Sequence, residues 1–87
     1  MMAGILLLYS RPGCHLCDDM KAVVEPVARE LGWTIKEVDI SGDAALEAQF
    51  GTEIPVLFVN GRKAFKYHVE ARELRHRLRR EPGLPQG

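Results

Sequence analysis

An unbroken apolar run, Ile5-Leu6-Leu7-Leu8-Tyr9, opens the pattern and reads as a buried strand. Pro12 and Gly13 break it. From His15 to Leu31 the apolar positions Leu16, Met20, Val23, Val24, Val27 and Leu31 recur close to one helical face, which predicts a helix with Pro26 as an internal kink and Gly32 as its stop. Trp33 to Val38 reads as a second strand and Asp39 to Gly42 as a turn. A short helix over Ala44 to Phe50 follows, with Leu46 and Phe50 four apart, Ser41 or Asp43 as cap and Gly51 as stop. Glu53 to Val59 is an apolar strand with Pro55 near its start; Asn60-Gly61 is a strong hairpin signal, and Arg62 to Tyr67 the returning strand. Ala71, Leu74 and Leu78 mark the inner stripe of a last helix over Glu70 to Arg80. The tail from Glu81 to Gly87, rich in proline and glycine, is expected to be disordered.

The predicted order is β-α-β-α-β-β-α. A right-handed helical crossover makes the first two strands parallel, and the Asn60-Gly61 turn makes the last two antiparallel. The fold class is therefore α/β, a four-stranded mixed sheet flanked by three helices, forming one domain over residues 1–80 of the 87.

Charge refines this picture. The formal net charge is zero, which gives no general attraction to nucleic acid or to a membrane surface. Its distribution is uneven: Cys14 to Glu53 carries nine acidic and three basic side chains, and Arg62 to Arg80 eight basic and two acidic. Two solvated faces that partly neutralise each other would account for this asymmetry; the sharper reading is a basic surface for an anionic partner. The arginines of the last helix, Arg72, Arg75, Arg77, Arg79 and Arg80, have no aromatic residue among them, which argues against a nucleic-acid adaptor. The N-terminal apolar run has no basic residue before it and is too short for a secretory signal or a membrane span, so a cytoplasmic location is expected.

The candidate chemistry lies in two cysteines, Cys14 and Cys17, separated by two residues. Cys14 stands where the first helix should begin. There, unpaired backbone N–H groups and the helix dipole favour a thiolate, the form that attacks disulfides. Cys17, one turn on, is placed to attack a mixed disulfide at Cys14 and close a bond between the two. Asp18 and Asp19, just behind, oppose the negative charge. Arg11, three residues before Cys14, would favour a thiolate and could hold a carboxylate bidentately; His15 could donate a hydrogen bond to the sulfur. The same spacing also occurs as half of a zinc site or as an inert buried pair. No second cysteine pair exists, and His15, His68 and His76 follow no zinc-ligand spacing.

With Tyr9-Ser10-Arg11-Pro12-Gly13-Cys14-His15-Leu16-Cys17 and Glu53-Ile54-Pro55-Val56 both present, the chain resembles the thioredoxin-fold superfamily, and within it the glutaredoxin-like proteins, from about Ile5 to Leu78. The resemblance implies that Cys14 is the exposed nucleophile, Cys17 the buried resolving thiol, and Ile54–Pro55 a cis bond beside the sulfurs. Ile54 would then offer its backbone to an extended substrate, and Arg11 would meet a glutathione carboxylate. The chain departs from the pattern after the hairpin. Where glutathione-binding glutaredoxins carry a double glycine and an acidic residue, it reads Ala64-Phe65-Lys66-Tyr67-His68-Val69-Glu70, with only Glu70 able to stand in for the acid. The first strand also lacks the buried acid of thioredoxins.

The implied activity is that of a small thiol-disulfide oxidoreductase acting on protein or glutathione mixed disulfides. It would work as a monomer with no bound cofactor, glutathione being the candidate co-substrate. Electrons would come from glutathione or a thioredoxin-type reductase. The alternative is a metal or iron–sulfur cluster carrier that uses the same cysteines as ligands.

Overall fold

The structure is a computed structural model and describes residues 4–81. Its elements are β1 (Ile5–Ser10), α1 (His15–Leu31), β2 (Thr34–Asp39), α2 (Ala44–Phe50), β3 (Val56–Val59), β4 (Arg62–Lys66) and α3 (Ala71–Arg80), in the expected order. The four strands form one sheet ordered β2-β1-β3-β4. β1 pairs in parallel with β2 and antiparallel with β3, and β3 pairs antiparallel with β4.

The apolar strands take the middle of the sheet because they are covered on both sides. Leu6 and Leu8 of β1 and Leu57 and Val59 of β3 pack with Met20, Val24 and Val27 of α1 and Leu74 and Leu78 of α3. Tyr9, Val56 and Phe58 pack instead with Ile40 and with Leu46 and Phe50 of α2. The outer strands carry the charge, Lys36, Glu37 and Asp39 on β2 and Arg62, Lys63 and Lys66 on β4, which keeps both edges wet.

The punctuation works as the residue types dictate. Asn60 and Gly61 have φ of 48° and 85°, the geometry of a tight hairpin turn. Gly32 ends α1 at φ 75° with its N–H bonded to the Ala28 carbonyl. Asp43, rather than Ser41, caps α2, accepting from the Leu46 N–H at 3.1 Å. Ser41 turns back to Asp39 through both its N–H and its hydroxyl, 2.8 and 2.7 Å, and these bonds hold the Asp39 carboxyl below its ordinary range.

Several expectations shift. Pro26 lies within the continuous α1 on its exposed side, where the missing N–H takes one bond from a helix anchored along its other face. Trp33 is a buried residue before β2 rather than its first member, and its ring lies where a Cβ on Gly4 would stand. β3 begins at Val56, since Glu53 to Pro55 form a loop. Leu16, counted on the inner face of α1, is 48% exposed. The buried stripe runs Cys17, Met20, Val24, Val27, Ala28, so Leu16, about 100° away around the helix, points out. The expected tail lies outside the described residues apart from Glu81, whose carboxylate accepts from Arg77 Nε at 3.1 Å. Among the described residues no helix is long and apolar enough to cross a membrane.

Candidate active site

Cys14 is the N-cap of α1, with extended backbone (φ −91°, ψ 110°) after Gly13 at φ 77°. The left-handed Gly13 turns the chain so that the Cys14 side chain folds over the first helical turn. There its sulfur accepts the Cys17 N–H at 3.1 Å. A cysteine thus occupies the place normally taken by serine or aspartate, and the helix end directs a free donor at its sulfur. This arrangement favours negative charge on Cys14. His15 does not supply the bond expected of it. Its ring turns to Asp19 (Nε2 to Oδ2 3.4 Å) and is 88% exposed.

Cys17 faces the core, 3% exposed, while Cys14 is half-buried. The two sulfurs are joined as a disulfide, with Cα atoms 5.2 Å apart. The two cysteines are therefore distinguished by exposure.

Arg11 is engaged elsewhere. Its Nε and Nη2 both donate to Oε1 of Glu47 on α2, at 3.2 and 2.6 Å. Sequence reading missed Glu47, which lies 36 positions away on a helix whose polar residues all read as solvated. Behind the dithiol, a cleft of about 270 Å³ is lined by Cys17, Ser10, Arg11, Glu37 and Asp39. Ser10, a buried polar residue, donates its hydroxyl to Glu37 Oε2 at 2.9 Å, and Lys21 contacts Oε1 at 3.0 Å. Lys21 is the main reason the Glu37 carboxyl lies below its ordinary value, and Glu37 in turn raises Lys21. A carboxylate depressed in the folded state adds stability above its unfolded pKa near 4.5 and loses it as pH falls through the folded value. Glu37→Gln should therefore flatten the acid limb of the Tm–pH profile slightly, solvent screening keeping the effect small because both side chains are half-exposed. An unchanged acid limb would show that the pair does not contribute.

Ile54–Pro55 is cis, as expected. Because Val56 pairs with Tyr9, Pro55 lies at the end of the sheet from which the Cys14 loop departs. The Ile54 backbone is half used: its N–H donates to the Phe50 carbonyl at 3.1 Å, and its carbonyl has no main-chain donor among the described residues. Tyr67 follows β4 at φ 69°, with the His68 N–H bonded to the Lys66 carbonyl at 2.8 Å in a three-residue turn. For a tyrosine this conformation costs about 1–3 kcal/mol. It falls within the stretch where the double glycine is missing, and tyrosine is not a turn signal. Glu70, the stand-in acid, is the N-cap residue of α3, its N–H bonded to Glu73 Oε1 at 3.3 Å. Among the described residues no three His, Cys, Asp or Glu side chains gather as a metal site.

A mixed sheet with a dithiol at a helix N-terminus and a cis proline at the same sheet end defines a thioredoxin-like protein with a redox-type site. The match of residues 5–79 to the glutaredoxin-like domain (DUF836) places the chain in that family. It is similar to the Xanthomonas campestris protein XcR50, with 40% identity, TM-score 0.70, and 88% of this chain and 99% of that one covered. It is 28% identical to a glutaredoxin-like protein of Dictyostelium discoideum over 80% of this chain and 70% of the relative. Thioredoxin-2 of the malaria parasite shares the fold, with TM-score 0.67 at 18% identity over 88% of this chain and 82% of that one.

Proposed function

We propose that the protein is a thiol-disulfide oxidoreductase that reduces protein disulfides or glutathione mixed disulfides. The observation that carries this reading is the half-buried Cys14 sulfur at the helix N-cap, accepting the Cys17 N–H while Cys17 lies buried within bonding reach. In the first step, the reduced Cys14 thiolate attacks one sulfur of the substrate disulfide and the other sulfur leaves as a thiolate that takes a proton. In the second, Cys17 loses its proton and attacks the Cys14 sulfur. The second substrate thiol leaves, the Cys14–Cys17 bond forms, and two electrons have passed to the substrate. An external thiol then reduces the protein pair.

Reduced protein mixed with a disulfide-linked peptide pair, in the absence of other thiols, should release about one pair per molecule as Cys14 and Cys17 oxidise. Peptides left intact by the reduced protein would contradict the reading.

Arg11 bears on the choice of substrate. With its guanidinium on Glu47, a glutathione carboxylate has to displace an internal partner. Glu47→Gln should lower KM for a glutathione mixed disulfide a few-fold, an effect that fades with added salt. An unchanged KM would mean that Arg11 does not meet the substrate.

A further inference from the structure

Two non-glycine residues among those described have positive φ, and the hairpin turn explains one of them, Asn60. Tyr67 is the other. Its two polar groups reach a single loop: the N–H donates to the Pro55 carbonyl at 2.7 Å and the phenol to the Thr52 carbonyl at 2.9 Å. These bonds bracket Glu53 and Ile54 from the residue just past the edge strand. With the backbone in the left-handed turn, this one residue holds both ends of the loop. The ring is 42% exposed, with Lys66 Nζ 5.4 Å from its centroid, so its place is not explained by burial.

We propose that Tyr67 is a positioning residue for an extended polypeptide substrate. Clamping Thr52 and Pro55 fixes the Ile54 carbonyl, the open main-chain acceptor beside Pro55, to take an N–H from a chain laid along the sheet end next to Cys14. This deepens the disulfide-exchange reading and rests on it: the preferred substrate class is a disulfide within a polypeptide.

Tyr67→Phe removes the Thr52 bond and keeps the ring. It should raise KM for a disulfide-containing polypeptide about three- to tenfold with kcat unchanged. The rate with hydroxyethyl disulfide, which has no peptide N–H, should stay the same. Equal KM values in variant and wild type overturn the proposal, as does an equal loss with both substrates, which would place the effect on the thiols or the fold. Wild-type protein that reduces neither substrate defeats the disulfide-exchange reading instead. In that case amide hydrogen exchange still decides the clamp. The Ile54 N–H should exchange several-fold faster in Tyr67→Phe while Leu6 and Val59 are unchanged, and an unaltered Ile54 rate overturns it.

Discussion

Cys14→Ser should abolish disulfide reduction, with a loss on the order of a thousandfold or more, because a serine hydroxyl at the same N-cap is neither ionised nor a comparable nucleophile at neutral pH. The fold should survive, since serine is itself a favoured N-cap and can accept the same Cys17 N–H. The complementary variant separates the two thiols. Cys17→Ser keeps the first attack and loses the second, so a mixed disulfide accumulates on Cys14, adds the substrate's mass and is released by added thiol. Steady-state turnover and intact-protein mass spectrometry check both. A Cys14→Ser protein with wild-type turnover would show that the half-buried sulfur is not the nucleophile.

Leu57→Ala should have the largest effect on stability. Leu57 is fully buried at the middle of the sheet, in β3 between β1 and β4 and packed in the cluster that α1 and α3 share. Truncation there removes about 2–5 kcal/mol, against a total of about 5–15 kcal/mol for a domain of this kind. The midpoint of thermal unfolding should fall on the order of 10 °C or more. The same truncation at Leu16, 48% exposed beside the dithiol, should change it little. Scanning calorimetry distinguishes these outcomes. A small shift for Leu57→Ala would mean that the sheet centre is not where the stability lies. The consequence reaches the site, because β3 carries Val56 and thereby sets Pro55 at the end of β1.

The features of this chain differ in how plainly its residues announce them. The all-apolar run at Leu6 to Leu8, the Asn60-Gly61 turn and Gly32 each impose one local geometry, so the element order and the pairing within each half could be read from the chain, whereas the β1–β3 pairing that joins the halves is set by the fold. The two cysteines were legible for the same reason, their chemistry following from one strand, one turn and one helix end. What could not be read depends on contacts distant in sequence. Leu16 fits the helical period, yet the buried stripe begins at Cys17, and only packing selects between neighbouring stripes. Arg11 reads as an open ligand for a carboxylate until the fold brings Glu47 against it. Tyr67 has no propensity for a left-handed turn and adopts one where Thr52 and Pro55 supply acceptors. Propensity is silent about a conformation that tertiary bonds enforce.

The central claim is that Cys14 and Cys17 act as one two-electron couple. The most direct test equilibrates the protein in dithiol redox buffers of graded ratio, quenches by acid, and counts free thiols by mass after alkylation. Both thiols should appear and disappear together in a single two-electron transition, with no singly alkylated species dominating at the midpoint. Two thiols that stay free across the whole range, or that oxidise only by linking separate chains, would contradict it.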